Sequence, residues 1–210
     1  TQGAVAVQDD QPCDVAQYGL WGGGRTLMLE HPEYHCTLID VAKGVDIEAL
    51  AQAITQEGEE QEIALTEQGQ YVPRLKQVKD VQRPALKLTG TVLISGGLGA
   101  IGGNIARTLV KAGARQLVLS GRRGQATPGA AELVAELQEA GAQVTVVAAD
   151  VTDPQAVKQL LEQIAFEYPL QGVVHTAGAL DAAVLLEQTE EKLDTVFSAK
   201  VQGAMNLDRL

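Results

Sequence analysis

The sequence predicts an α/β protein built on a doubly wound parallel sheet and preceded by part of a smaller α/β unit. Three observations carry that expectation. The apolar run Thr91–Ile94 breaks into the spacing Gly97-x-Gly99-x-x-Gly102, and the helical pattern Ile101, Ile105, Leu109 follows at once. Strand and helix patterns then alternate regularly as far as His175, and successive strand–helix units imply right-handed crossovers with helices on both faces. Gln143–Ala149 is nearly all apolar, as suits a strand covered on both sides.

Strand, glycine turn and helix in that order form a dinucleotide fingerprint of the Rossmann type. Gly97 permits a tight turn, Gly99 has no side chain to block a pyrophosphate, and Gly102 lets helix and strand pack closely. Free N–H groups at the helix start face the phosphates. The candidate contacts here are Gly97, Leu98, Gly99, Ala100, Ile101 and Gly102.

Ahead of that turn the chain is less regular. Gly3–Val7 is a brief apolar stretch with strand character. The glycines of Gly19–Gly24 have neither a feeding strand nor phosphate-loop spacing, so they read as a backbone packing site, followed by a short helix over Arg25–Glu30. His35–Val41 reads as a strand. Asp46 caps a helix with Ile47, Leu50, Ala51 and Ile54 on one face. Glu62–Leu65 and Tyr71–Leu75 read as strands paired around Gln68-Gly69-Gln70. The polar stretch Lys76–Thr89, with Pro84, is the best boundary. Residues 1–88 and 89–210 are therefore expected to form two subdomains.

In the second half, Gln116–Ser120 is a strand and Ala130–Ala140 a helix with Leu133, Val134 and Leu137 inward. Pro154 opens a helix carrying Val157, Leu160, Leu161 and Ile164, and Gly172–His175 is the next strand. In the doubly wound order that strand lies beside Thr91–Ile94, across the point where the winding reverses. His175, Ala177 and Gly178 thus join the candidate site. The end of Gln116–Ser120 separates NAD from NADP, because NAD sites place an acid there. Here Ser120-Gly-Arg122-Arg123-Gly follows, with no acid from Arg115 to Gly124. A hydroxyl and two guanidiniums suit a 2′-phosphate. Asp150 and Val151 face the adenine, or the Asp150–Asp153 segment caps the next helix through Thr152 or Asp153. Lys200 falls on the apolar stripe Leu193, Val196, Phe197, Val201, Ala204, Leu207. It must snorkel, find a carboxylate or serve a site.

Composition bounds the partners. A net charge of −11 argues against nucleic acid and anionic membranes, and no apolar run is long enough to span a bilayer. Cys13 and Cys36 match no metal spacing, so no metal is expected, and they read as buried, reduced thiols of a cytoplasmic protein. The chain lacks an initiator Met and stops at Leu210 inside a helical pattern, as a segment of a longer protein would.

The stretches SGGLGAIG, SGRRG, DVTD, VVHTAGALD and FSAKVQGAMNL, in that order, resemble the ketoreductase domain of modular type I polyketide synthases, a branch of the short-chain dehydrogenase/reductase superfamily. GLWGGGRTLMLEHP and Tyr71-Val-Pro-Arg-Leu75 resemble the end of that family's non-catalytic structural subdomain. The likeness covers essentially the whole chain, and the related domain of animal-type fatty acid synthase is a close relative. It implies that residues 89–210 use NADPH to reduce a β-ketoacyl group on an acyl carrier protein to β-hydroxyacyl. Neighbouring synthase domains and a further C-terminal part of the same domain are the implied partners. It also implies that Lys200 is the Lys of a Ser, Tyr, Lys and Asn tetrad, where an ammonium eases proton transfer from the Tyr. The family's Ser and Tyr lie downstream of that Lys. None of Tyr18, Tyr34, Tyr71 and Tyr168 follows Lys200 or has a Lys or Asn four residues later, so the 210-residue chain alone is expected to be inactive. The family motif LDD reads Leu180-Asp181-Ala182, which leaves the stereochemical class open. The alternative is a non-reducing structural module that only binds nucleotide. A freestanding short-chain reductase would not need the first ninety residues.

Overall fold

A computed structural model describes residues 1–8, 11–56, 58–78 and 87–210. The expected boundary, with Pro84, falls largely on residues 79–86, outside the described ones. The chain divides into two units, residues 1–81 with Val184–Glu187, and residues 82–183 with 188–210.

In the first unit, α1 (Val15–Glu30) is longer than the sequence indicates and runs straight through the glycines. Asp14 caps it by accepting from the Ala16 and Gln17 amides. Glycine weakens a helix, but tertiary contacts outweigh that here. Trp21 is 3% exposed, and the Arg25 guanidinium forms a two-pronged pair with Glu62, both contacts at 2.7 Å. Gly24 alone matches the expected packing site, since a Cβ there would press on Leu38.

β1 (Leu38–Val41) starts three residues later than expected, because Pro32–Tyr34 form a 3₁₀ turn and His35 is left-handed at φ 47°. α2 (Ile47–Thr55) buries Ala53, while Ile47 and Ile54 point to solvent against the expected face. β2 (Glu62–Thr66) pairs in parallel with β1 and antiparallel with β3 (Gly69–Tyr71), which precedes the predicted strand. Gly3–Val7 is no strand. Its backbone is tied to buried Asp40, whose carboxylate accepts from the Ala4 and Val5 amides at 2.9 and 3.2 Å. Cys13 is exposed and Cys36 half-buried, so neither is the buried thiol expected.

The second unit is a four-stranded parallel sheet in the order β6-β5-β4-β7. Its strands are β4 (Thr91–Ser95), β5 (Gln116–Gly121), β6 (Gln143–Ala148) and β7 (Leu170–His175). The helices are α3 (Ala100–Lys111), α4 (Ala130–Glu139), α5 (Pro154–Glu162), α6 (Glu190–Phe197) and α7 (Gly203–Arg209), the last two joined by a π-helical turn, Ser198–Gln202. Central β4 is buried throughout, and its alternate side chains feed two cores. Val92 and Ile94 pack with Ala106, Val110, Leu133 and Leu137 of α3 and α4. Leu93 packs with Leu160 of α5 and with Leu207 of α7. β6, expected to be covered on both faces, is an edge strand with Thr145 and Ala148 exposed.

Gln171 of β7 acts as a clip just ahead of β4. Its side-chain oxygen accepts from the Thr89 and Gly90 amides at 2.9 and 2.8 Å, and its amide nitrogen donates to the Lys87 carbonyl at 2.6 Å. Among the described residues, no helix is long and apolar enough to cross a membrane.

Candidate functional site

The carboxyl ends of β4, β5 and β6 and the segment after β7 enclose a cleft of about 890 Å³. Its floor is the turn between β4 and α3. Gly96 sits at φ +68°, and a Cβ there would stand 2.7 Å from the Ala177 nitrogen, so only glycine meets both demands. The tight turn thus falls one residue before Gly97. Gly102 admits no side chain because a Cβ would lie 2.6 Å from Gly97 Cα, which seats α3 directly on the turn as expected. Gly99 caps α3 with no side chain, and the first amides of the helix have no intrahelical acceptor. Leu98 and Gly99 line the cleft there, in a field that favours an anion.

Ser120, Arg122 and Arg123 form the next wall. Ser120 is fully buried, and its Oγ has no hydrogen-bond partner among the described residues. Both guanidiniums are exposed, and neither forms an ion pair among the described residues.

Asp150 and Val151 follow on the third strand. Asp150 accepts from the Thr152 amide at 2.9 Å and hydroxyl at 2.8 Å. These bonds, with a smaller contribution from the Arg122 charge, hold its carboxyl below the usual range. Of the two caps expected for the next helix, Asp153 is the one used, accepting from the Gln155 amide at 2.8 Å. Ala177 and Gly178 complete the rim. Thr176 anchors their segment by donating its amide and hydroxyl to the Ser95 carbonyl, at 2.9 and 2.7 Å.

Six residues singled out from sequence do not line the cleft. Gly97 and Gly102 are packing positions under it, and Ala100 and Ile101 belong to the first turn of α3, with Ile101 facing solvent. His175 has both ring nitrogens engaged inside the protein. Lys200 is exposed, in the π turn whose Ser198 and Ala199 reach the cleft. It lies on no buried stripe, because Phe197 and Val201 around it are 54% and 49% exposed. The extra residue of a π turn rotates the stripe outward, and Gly203, Asn206 and Leu207 make the contacts instead. Sequence reasoning passed over Asn206, whose buried amide donates to the Val151 and Thr152 carbonyls at 2.9 and 3.0 Å. An Asn on an inward helical face was the available signal.

A glycine-floored cleft with open helix amides, an unpartnered buried hydroxyl and two exposed guanidiniums fits a phosphorylated dinucleotide. Comparison with known proteins narrows this. The KR domain family model matches residues 90–210, and the model described as "Polyketide synthase extender module SpnB, Rossmann fold domain" matches residues 1–75. Pikromycin polyketide synthase component PikAIII of Streptomyces venezuelae is 43% identical over 100% of this chain, which corresponds to 14% of that protein. Erythronolide synthase EryA3 of Saccharopolyspora erythraea is 39% identical over 100% of the chain and 7% of its own length. The first ketoreductase of the tylosin polyketide synthase superposes with a TM-score of 0.89 at 38% identity, over 100% of this chain and 46% of that one. An A-type ketoreductase from a modular polyketide synthase gives 0.86 at 37% identity, over 99% and 45%. The chain therefore spans about half the length of these solved ketoreductases and a small part of large multidomain synthases. By sequence and by fold, it belongs to the ketoreductase domain family of modular type I polyketide synthases, in the short-chain dehydrogenase/reductase superfamily.

Proposed function

We propose that this chain serves the NADPH-dependent reduction of a β-ketoacyl group, carried on an acyl carrier protein, to β-hydroxyacyl. Residues 1–88 act as a structural subdomain and residues 89–210 hold the cofactor. The observation that carries the reading is the second wall of the cleft, where Ser120, Arg122 and Arg123 stand with no acid from 115 to 124. Members of this family with a Rossmann fold bind a nicotinamide cofactor, and two guanidiniums select the 2′-phosphorylated form.

When bound, NADPH supplies the hydride that reduces the ketone carbon. The chain's own residues bind and orient. The amides opening α3 and the bare backbone of Gly99 receive the pyrophosphate, Arg122 and Arg123 the 2′-phosphate, and Asp150 and Val151 the adenine end. Ala177 and Gly178 leave backbone room on the opposite rim. Lys200, in the π turn whose Ser198 and Ala199 reach the cleft, is the ammonium that would favour the phenolate of the family's Tyr and so lower the cost of proton transfer.

The test uses a synthase module carrying this chain, a β-ketoacyl thioester and NADPH. Turnover that Lys200→Ala abolishes is the expected result. No turnover from the unsubstituted module, with NADPH still bound, would leave a structural nucleotide-binding module instead.

A further inference from the structure

β7 ends at His175, whose ring bridges two elements. Nδ1 lies 2.6 Å from Ser95 Oγ, and Nε2 lies 3.0 Å from the Ala199 carbonyl oxygen. A carbonyl only accepts, so Nε2 carries a proton, and whenever the ring is neutral Nδ1 is left to accept from the Ser95 hydroxyl. The Ala199 carbonyl belongs to the peptide that enters Lys200. In a regular helix the Gly203 N–H would reach this carbonyl, but here it reaches back to Ser198. The imidazole meets the carbonyl that the π turn has displaced. Close packing reinforces the bond, since a Cβ on Gly203 would stand 2.8 Å from Val151 Cγ2 and 3.3 Å from His175 Cε1. Gly178, three residues after His175, lies against the Lys200 stem, since a Cβ there would be in ordinary contact with Cε at 3.5 Å.

We infer that His175 is a positioning residue, whose Nε2–H holds the Ala199–Lys200 peptide in the π turn and so sets where the Lys200 ammonium stands. This replaces the cofactor contact expected from sequence, and its catalytic consequence rests on the proposed role of Lys200.

The first measurement needs no substitution. Nitrogen-15 shifts of the His175 ring in the 210-residue chain should report the Nε2-protonated tautomer, and the Nδ1-protonated tautomer would overturn the assignment. Two variants follow, His175→Gln, which puts an amide N–H near the Nε2 position, and His175→Asn, which is too short to do so. Hydrogen exchange over residues 198–206 should quicken about tenfold in His175→Asn while β5 and α4 are unchanged, and return close to the native rate in His175→Gln. Equal exchange in all three proteins would sink the proposal. So would His175→Gln exchanging as fast as His175→Asn, or an equal loss of protection in β5 and α4. In a module carrying this chain, His175→Asn should lower kcat about ten- to a hundredfold with little change in KM for NADPH, and His175→Gln should recover most of it. Should Lys200→Ala retain full turnover, the proposed role of Lys200 falls, while the tautomer and exchange results still decide the positioning.

Discussion

Arg122 and Arg123 are the residues on which the proposed choice of NADPH turns. Exposed at the end of β5, they make no pair among the described residues that a substitution would disrupt. Arg122→Ala should therefore weaken NADPH binding by about 1.5–3 kcal/mol, the scale of a charge-assisted hydrogen bond. NADH binding, measured by the same calorimetric titration, should hardly change. Equal losses for both would mean that the guanidinium supports the fold. The placing of Arg122 and Arg123 at the cleft was legible in the sequence because it depends only on where one strand ends. The floor of the cleft was less so. Ser95-Gly96-Gly97 offers two adjacent glycines, and nothing in the letters tells which one takes the positive φ. The structure gives it to Gly96, where the chain after β7 passes within 3 Å of a would-be Cβ. That contact is between segments some eighty residues apart, beyond the reach of local pattern.

At the scale of elements, apolar periodicity located most helices and strands, and failed where tertiary contacts overrode propensity. α1 is the plainest case. Four glycines argue against a helix, yet the Asp14 cap, buried Trp21 and the Arg25–Glu62 pair hold one together. Arg25 lowers the Glu62 carboxyl below its ordinary 4.5. A lowered folded value means that the pair stabilises above pH 4.5 and that this contribution is lost as pH falls through the folded value. Glu62→Gln should cost about 0.5–1 kcal/mol at pH 7, since Arg25 is partly solvated, and the gap between the two unfolding curves should close as the pH is taken down from 4.5 through the lowered folded value. A gap that stays constant as the pH falls would assign the effect to packing. The π turn was also illegible, because a stripe drawn at helical spacing assumes one unbroken phase. Asn206→Ala should leave the Val151 and Thr152 carbonyls without their donor, destabilising the domain by about 1–3 kcal/mol in denaturant titration. Asn206→Asp should not rescue it, as a carboxylate cannot donate to a carbonyl.

For the whole molecule, strand order was the most legible property, because βα alternation with right-handed crossovers leaves few topologies. Surface exposure was the least. β7 pairs with β4 alone among the described residues, and Val173 in β7 and Phe197 in α6 are 42% and 54% exposed. An exposed apolar strand edge and exposed apolar helical side chains each favour association. The 210-residue chain should therefore sediment as a concentration-dependent oligomer, and Val173→Lys should shift it toward monomer. It should bind adenosine 2′-phosphate ligands without reducing a β-ketoacyl thioester. Of its tyrosines, only Tyr168 lies in the second unit, and it precedes β7, at the opposite end of the sheet from the cleft. A monodisperse chain that consumes NADPH with that substrate would contradict both expectations.

The Gln171 clip also has a mechanical meaning. Tension applied along the chain ahead of Lys87 meets three side-chain bonds to an edge strand before it reaches the backbone ladder of β4. The load is thereby shared with β7 from Lys87 onward, and the central strand is shielded from being pulled on alone. Gln171→Ala would move the point where force enters the sheet to Thr91, the first residue of the strand on which both cores are built.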